Sequence, residues 1–193
     1  QEILDLLPHE DVAPARLPDL FESLRSADHR VYKVVFREED MVEPLAPCER
    51  FDLQRYYNHP DEFRSRFESY LPYLTVLVNA IYWDARYPRL LTRLGVRQLY
   101  ARQQPRLRVI GDISCDIEGA IECTTQCTSP DAPLYVYNPC TEALSPGVAG
   151  KGPVVLALDI LPTELPRESS TAFGEALLPF VPAIARADYS VPF

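Results

Sequence analysis

The sequence lacks a glycine-rich nucleotide loop. Neither a G-x-G-x-x-G pattern nor a P-loop occurs among its 193 residues, of which only 7 are glycine. A nucleotide-binding sheet needs such a turn, because backbone amides must approach the phosphates closely. Either the chain does not bind a dinucleotide, or the first strand and its loop lie before Gln1.

Long apolar runs, excess positive charge and a catalytic histidine motif are also absent. The longest apolar run, residues 74–82, is interrupted by Thr75 and Asn79 and is far shorter than the roughly 20 residues of a membrane span. The net charge of −9 argues against nucleic acid, because phosphate backbones are bound by clustered Lys and Arg. None of the 3 histidines lies in a hydrolase motif. We therefore expect neither nucleic acid nor a membrane as a partner.

The cysteines do not form a pattern typical of disulfides or zinc. There are 5, an odd number in a chain long enough to fold without crosslinks, which fits a reducing compartment. Cys115, Cys123, Cys127 and Cys140 form no C-x-x-C pair and have no neighbouring histidine, so a metal site is not predicted. Buried or half-buried thiols are expected instead.

Strand-like and helix-like segments alternate along the chain. Strands are predicted at residues 11–13, 31–36, 74–81, 108–115, 134–137 and 154–159. Helices are predicted at residues 3–7, 18–24, 63–71, 90–104 and 169–186, the last bent or split by Pro179 and Pro182. Residues 38–60 are acidic and proline-rich, which predicts an excursion rather than a core element. This order predicts an α/β fold with a doubly wound parallel, Rossmann-like sheet.

Two of the predicted strands carry candidate site residues at their carboxyl ends. The nearly continuous apolar segment 74–81 is typical of a strand covered on both faces of a parallel sheet. The segment 108–115 contains Asp112 and is followed directly by Asp116, four residues after Asp112. Ligands of α/β sheets bind at the carboxyl edge, so Asp116 is the candidate for a direct role, and a helix cap is its structural alternative. Asp112 is expected to be a structural hydrogen-bonding residue.

Two arginines are weaker candidates. Arg16 follows the strand predicted at 11–13, where a dinucleotide fold has the residue that recognises the ribose, and an arginine there favours a 2′-phosphate. A solvated surface arginine is the alternative. Arg89 could reach a substrate or phosphate oxygen with two hydrogen bonds, although a structural ion pair is favoured.

Six sequence blocks in order resemble the lysine-ketoglutarate reductase half of the bifunctional α-aminoadipic semialdehyde synthases. They are residues 1–8 (QEILDLLP), 79–83 (NAIYW), 88–92 (PRLLT), 112–116 (DISCD), 119–122 (GAIE) and 161–168 (LPTELPRE). The resemblance covers almost the whole chain. It implies a fold related to alanine dehydrogenase and the L-lysine-forming saccharopine dehydrogenases, with a nucleotide domain and a substrate domain facing each other across a cleft.

The resemblance also implies a reaction and a location. L-lysine would be condensed reductively with 2-oxoglutarate to give saccharopine, with NADPH, in mitochondrial lysine breakdown. The implied partners are these small molecules, the remainder of the same polypeptide, and further copies in a homo-oligomer. Residues 1–165 would form an incomplete dinucleotide-binding domain, and residues 166–193 a helical segment that packs towards a substrate domain encoded earlier in a longer chain.

Roles for individual residues follow from the same resemblance. Asp116 matches the second acid of the motif that faces the reacting centre, where a carboxylate orients or balances a catalytic lysine. The resemblance assigns the cofactor to Asn79, Ala80, Ile81, Tyr82, Asp112 and Ser114, and Arg16 joins them because of its place after the strand predicted at 11–13. Core packing is the alternative for residues 79–82. Glu118 and Cys115 depart from the small residues usual in the family, which affects the fine geometry around Asp116.

Two other functions stay open. One is a non-catalytic, Rossmann-like interaction module, which would also lack the glycine-rich loop in the complete protein. The other is an alanine dehydrogenase-like oxidoreductase, which substrate competition would distinguish. The 193-residue chain by itself is expected to be inactive, because hydride transfer needs the cofactor loop and the opposing domain.

Overall fold

A computed structural model describes residues 6–23, 30–101 and 105–190. The strands are β1 (His9–Asp11), β2 (Val31–Lys33), β3 (Val42–Pro44), β4 (Phe63–Ser65), β5 (Val76–Asn79), β6 (Val109–Asp112), β7 (Leu134–Tyr137), β8 (Leu144–Pro146) and β9 (Val154–Leu156). The α-helices are α1 (Leu17–Ser23), α2 (Glu38–Met41), α3 (Leu53–Asn58), α4 (Arg93–Ala101), α5 (Pro166–Leu177) and α6 (Val181–Arg186). Short 3₁₀ helices span Pro14–Arg16, Pro60–Glu62, Phe67–Tyr73 and Leu161–Glu164.

The chain divides into two compact units, Gln1–Leu158 and Asp159–Phe193. The first unit is a mixed α/β structure that contains every sheet of the described residues. The second unit consists of α5, α6 and a 3₁₀ turn. None of the described helices is both long and apolar enough to cross a membrane.

The main sheet of the first unit has five strands in the order β5-β6-β9-β7-β8. β5, β6 and β9 run parallel, with Val76 opposite Val109 and Ile110 opposite Val155. β7 runs antiparallel to both β9 and β8. The predicted parallel sheet is therefore correct for three strands, and β7 and β8 make the sheet mixed. No helix lies between β6 and β9 to return the chain in the same direction, which is how a parallel neighbour is usually connected.

Two further sheets have two strands each. β1 pairs with β2 in parallel, and β3 pairs with β4 antiparallel. The β3–β4 pair corrects two predictions. The excursion predicted at 38–60 contains α2, β3, α3 and the buried residues Met41, Val42 and Tyr56. The helix predicted at 63–71 begins as strand β4, because Phe63 pairs with Pro44 of β3, and continues as a 3₁₀ helix.

The two faces of the main sheet differ in burial. Leu77, Ile110 and Val155 lie on one face and are 6%, 0% and 0% exposed. On the other face of β5, Val76 and Val78 are 55% and 59% exposed. The expectation that this strand is covered on both faces is therefore wrong for the described residues, in which β5 is an edge strand and only one of its faces is covered.

The remaining predicted elements lie close to the observed ones. The strands predicted at 31–36, 74–81, 108–115, 134–137 and 154–159 and the helices at 18–24 and 90–104 overlap β2, β5, β6, β7, β9, α1 and α4. The strand predicted at 11–13 begins earlier, at His9. Most of the helix predicted at 3–7 and the end of that at 90–104 lie outside the described residues. β8 was missed by the sequence interpretation.

The second unit confirms the predicted effect of its prolines. The helix predicted at 169–186 is two helices, α5 and α6, separated at residues 178–180. No described residue of this unit is buried. Its exposed apolar side chains include Phe173, Leu178, Phe180 and Ile184.

Candidate functional site

The carboxyl ends of β5 and β6 are joined by buried polar side chains. Asn79 and Asp112 are the last residues of the two strands and lie opposite each other in the parallel register. The amide Nδ2 of Asn79 donates to Oδ1 of Asp112 at 2.9 Å, and the two residues are 2% and 1% exposed. This hydrogen bond fixes the relative position of the two strand ends.

A residue from the following loop completes this buried group. The Thr124 hydroxyl donates to Oδ2 of Asp112 at 2.6 Å and is fully buried. The Cys115 backbone N–H lies 3.4 Å from Oδ1 of the same carboxylate. Burying a carboxylate is costly unless several donors satisfy it, so these bonds explain why Asp112 is tolerated in the core. We call Asn79, Asp112 and Thr124 the polar triad.

Backbone and hydroxyl contacts tie the next residues of both strands together. Ile113 N–H donates to the Asn79 carbonyl at 2.7 Å, and the Ser114 hydroxyl donates to the Ile81 carbonyl at 2.6 Å. The structure thus brings together six of the residues predicted for the cofactor, Asn79, Ala80, Ile81, Tyr82, Asp112 and Ser114. Of these, Tyr82 is 81% exposed.

Asp116 lies in front of this edge. Its side chain is exposed, and its carbonyl accepts a hydrogen bond from Gly119 N–H at 2.9 Å in a turn. No helix begins there, so the alternative interpretation of Asp116 as a helix cap is wrong. A Cβ atom at Gly119 would overlap the Asp116 side chain and lie 3.2 Å from the Trp83 ring, so the turn requires glycine at this position.

Arg89 binds the backbone of the turn that contains Glu118 and Gly119. Its guanidinium lies 5.2 Å from the Trp83 ring centroid and donates to the carbonyls of Gly119 and Glu118 at 3.1 and 2.9 Å. It also forms an ion pair with Glu122 at 3.2 Å. The structural ion pair favoured for Arg89 is confirmed, and its donors are used within the protein.

The first turn of α4 is connected to the same loop. A Glu122 carboxylate oxygen accepts from Arg93 N–H at 2.8 Å, which satisfies one of the free N–H groups of the helix end. The Arg93 side chain pairs with Glu118 and, at 3.2 Å, with Glu142. Thr124 and Glu122 were both missed by the sequence interpretation, since they lie in a segment without periodicity, and no local signal links them to their partners.

A tyrosine from β7 holds the segment beside Thr124. The Tyr135 hydroxyl donates to the Cys123 carbonyl at 3.0 Å and accepts from Thr125 N–H at 3.3 Å. Burial raises the pKa of this phenol above its usual range. Burial also raises the pKa of the neighbouring Cys123 thiol to about 12, so this thiol is neutral at physiological pH.

Arg16 lies elsewhere in the first unit, beyond β1. It borders a cavity of about 500 Å³ together with Asp11 and Asp19, and its guanidinium is 3.7 Å from the Asp19 carboxylate. Lys33 of β2 pairs with Asp11 at 3.1 Å. Among the described residues, no cluster of three or more His, Cys, Asp or Glu side chains could hold a metal ion.

Comparison with known proteins identifies relatives along the whole chain. No family model matches. The α-aminoadipic semialdehyde synthase of Arabidopsis thaliana is 37% identical over 195 residues, which cover 96% of this chain and 18% of the synthase. The mitochondrial α-aminoadipic semialdehyde synthase of Bos taurus is 33% identical over 207 residues, which cover 100% of this chain and 22% of the synthase.

A shorter match extends to a second group of enzymes. The saccharopine dehydrogenase [NAD(+), L-lysine-forming] of Schizosaccharomyces pombe is 37% identical over 119 residues, which cover 58% of this chain and 28% of that enzyme. The chain therefore spans less than a third of the length of each of these relatives. The resemblance to the lysine-ketoglutarate reductase half of the synthases is confirmed.

Proposed function

We propose that this chain, a homologue of the α-aminoadipic semialdehyde synthases, belongs to the cofactor-binding domain of an oxidoreductase that condenses L-lysine with 2-oxoglutarate to saccharopine, with NADPH, in lysine degradation. One observation carries the proposal: the chain aligns over its full length with the synthases and over 58% of its length with an L-lysine-forming saccharopine dehydrogenase. The lysine-forming reaction is the reverse of this condensation.

A doubly wound, Rossmann-like sheet is part of the proposal. Among the described strands, β1 pairs only with β2, and β5 pairs only with β6, so each has one open edge. One further parallel strand bound to both edges would give the order β2-β1-new strand-β5-β6-β9, in which the dinucleotide lies at the carboxyl ends. A helix over β5 would then cover Val76 and Val78.

The domain assignment follows from this sheet. We propose that residues 1–165 belong to the dinucleotide-binding domain, whose first strand and glycine-rich loop occupy the open edge between β1 and β5. We propose that residues 166–193 pack towards a substrate domain. The exposed apolar side chains of α5 and α6, such as Phe173 and Ile184, supply a surface for such packing.

The residues at the carboxyl edge fit a nicotinamide cofactor. Ala80 and Tyr82 are exposed and Ile81 is half-buried, so this segment offers backbone groups and the Tyr82 side chain. The Asn79 Oδ1 atom is buried with no hydrogen-bond partner among the described residues. The cofactor, when bound, supplies the hydride that reduces the imine formed from lysine and the keto acid. Asn79, Asp112 and Ser114 hold this segment in place, and Ala80, Ile81 and Tyr82 line the cleft.

Asp116 is proposed to act at the reacting centre. Its carboxylate is exposed in front of the strand ends, and the turn with Gly119 and the Trp83–Arg89 contact hold its backbone. From there the negative charge would orient or balance a cationic lysine of the opposing domain, which favours the proton transfers of imine formation. Asp116 is the catalytic residue proposed for this chain.

NADPH, rather than NADH, is proposed from the resemblance to the synthases, and Arg16 is the residue of this chain proposed to contact it at the ribose. The cavity that Arg16 shares with Asp11 follows β1, where a dinucleotide fold recognises the adenosine ribose, and a guanidinium binds a 2′-phosphate with two hydrogen bonds. The fission yeast relative is named for NAD(+), so the preference must be tested in the complete protein. A mitochondrial location is proposed from the name of the bovine relative, and a homo-oligomeric state is proposed with it.

The test uses the complete protein and follows oxidation of NADPH in the presence of L-lysine and 2-oxoglutarate. Asp116→Asn is expected to lower kcat by about a hundredfold, while the Kd for NADPH changes by less than about twofold, because the charge acts on the reaction and not on cofactor binding. Asp131→Asn, at another exposed aspartate, is the matched control and should leave both constants unchanged.

Three outcomes would contradict the proposal. Unchanged turnover in a folded Asp116→Asn protein would make Asp116 structural. Faster turnover with alanine and pyruvate than with lysine and 2-oxoglutarate would favour an alanine dehydrogenase-like enzyme. NADPH oxidation by the 193-residue chain alone would show that no opposing domain is needed.

A further inference from the structure

Two thiols in the first unit lie in contact without being bonded. The Cys115 and Cys127 Sγ atoms are 3.4 Å apart. A disulfide needs a separation of about 2.05 Å, so bonding requires an approach of only about 1.3 Å. The pair comes together although eleven residues separate the two positions in sequence.

One carbonyl group holds the Cys115 thiol and the backbone of the residue that follows Cys127. The Cys115 thiol donates to the Ala157 carbonyl oxygen at 3.0 Å, and the backbone N–H of Thr128 donates to that oxygen at 2.7 Å. Cys115 also has a left-handed backbone, with φ at 53°, which is uncommon for residues other than glycine. The Cys115 sulfur and the backbone beside Cys127 are thus both held at Ala157, directly after β9.

The two thiols differ in exposure, which gives them different roles in exchange. Cys127 is exposed and can meet a dissolved reagent, whereas Cys115 is 8% exposed. A thiol–disulfide exchange requires an accessible thiolate for the first attack and a second thiol within reach to resolve the mixed disulfide. Cys127 fits the first requirement, and Cys115 fits the second.

We propose that Cys115 and Cys127 form a thiol–disulfide exchange site for low-molecular-weight disulfides. The Cys127 thiolate attacks one sulfur of the reagent, forms a mixed disulfide and releases one thiolate. Cys115 then loses its proton, attacks the Cys127 sulfur and displaces the second thiolate. Two protein thiols are oxidised to one disulfide, and the reagent is reduced to two thiols.

The other cysteines provide internal controls. Cys48 and Cys140 are exposed, so each can form a mixed disulfide but has no neighbouring thiol to resolve it. Cys123 is fully buried, and burial raises its pKa to about 12, which keeps it neutral and unreactive. The same reagent should therefore leave three distinguishable products in one molecule.

The disulfide would constrain the loop that carries Asp116. Cys115 precedes Asp116 directly, and a bond to Cys127 closes a ring that contains Gly119 and Thr124. The ring is anchored beside Cys115 by the Asp112 carboxylate and beside Cys127 by the hydrogen bond from Thr128 N–H to the carbonyl of Ala157. Oxidation at this site would therefore reduce the motion of the turn at the carboxyl edge of the sheet.

The experiment treats the folded chain with oxidised glutathione, quenches it with acid, alkylates the remaining thiols, and digests it with a protease that cleaves after glutamate. Cleavage at Glu118 and Glu122 separates Cys115 from Cys127. Mass spectrometry without reduction is expected to find the two peptides crosslinked, with Cys48 and Cys140 carrying glutathione and Cys123 alkylated only after unfolding. The second peptide, residues 123–142, contains Cys123, Cys127 and Cys140, so the double variant with Cys123→Ser and Cys140→Ser removes the ambiguity and should retain the crosslink.

Two variants sharpen the result. In Cys115→Ser, glutathione on Cys127 should increase about tenfold or more, because no second thiol displaces it. In Cys127→Ser, whose site is exposed, Cys115 should remain reduced. The proposal is overturned if Cys127 in the parent chain keeps glutathione to the same extent as Cys48 and Cys140, or if the crosslink joins Cys123. Fragmentation of the crosslinked peptide from the parent chain locates the bonded cysteine directly, so the test does not depend on the folding of a variant.

Discussion

The two sides of the turn after β6 differ in what their polar side chains do. Behind the turn, Asn79, Asp112 and Thr124 are each at most 2% exposed and bond to one another. In front of it, Asp116 and Tyr82 are exposed. Acids four residues apart in one sequence motif therefore have different physical roles. A substitution behind the turn should change the free energy of unfolding, and one in front should change chemistry.

The largest expected effect is that of Asp112→Ala. It leaves the Asn79 amide and the Thr124 hydroxyl buried without an acceptor, at about 1–3 kcal/mol for each group, so the free energy of unfolding should fall by about 3 kcal/mol. Urea unfolding followed by circular dichroism measures it. Asp116→Ala is the matched control and should stay within about 0.5 kcal/mol of the parent. If Asp112→Ala and Asp116→Ala lowered the free energy of unfolding equally, the buried and the exposed aspartate would not differ in structural role.

An intermediate effect is expected from pH at Cys123. The pKa of this thiol is raised from 9.0 to about 12 in the folded chain, so its stabilising contribution is complete below pH 9 and is lost as the pH rises towards 12. The group should lower the free energy of unfolding by up to about 1.4 kcal/mol per pH unit in this window. Unfolding in urea between pH 8 and about 10 measures the slope, and Cys123→Ala should reduce it. If the Cys123→Ala variant shows the same slope of unfolding free energy against pH, other groups cause that slope. The control is Cys127→Ala, which removes an exposed thiol and should leave the slope unchanged.

A smaller loss than that of Asp112→Ala is expected for Thr124→Val, which keeps the side-chain shape and removes one hydrogen bond to Asp112. Hydrogen bonds to charged groups contribute about 1.5–3 kcal/mol, and the added methyl group recovers part of this, so a loss of about 1–2 kcal/mol is expected. The urea midpoint measures it. Thr163→Val, at an exposed site outside this loop, is the control. In the double variant with Asp112→Ala, the two losses should not add, because both remove the same bond.

The elements of the main sheet could be predicted from apolar patterning. Residues 74–81, 108–115 and 154–159 are apolar runs in the sequence, and each contains a strand of the parallel part. The directions of β7 and β8 could not be predicted, because alternation identifies a strand but not its neighbour. The helix predicted at 63–71 was wrong at its start for a related reason. Residues 63–65 form strand β4, because hydrogen bonding to β3 decides their conformation and the helical spacing of the apolar residues does not.

The candidate site was predictable only where the strands end. Asn79, Ile81, Asp112 and Ser114 were predicted to lie together, and the register of β5 and β6 brings them together. The contribution of Thr124 and the contact between Cys115 and Cys127 were not predictable. Both depend on an irregular segment of the chain that folds back on the sheet, and its sequence has no period from which a contact can be read.

The sequence by itself determined where the buried strands follow one another along the chain, the break between α5 and α6, and the relationship to the synthases. These properties depend on local patterns and on the identity of residues. The tertiary structure decided which aspartate is buried, which face of β5 is open, and which thiols meet. Those properties depend on packing between segments distant in sequence, where the cost of burying a polar group is balanced only by partners that the fold brings near.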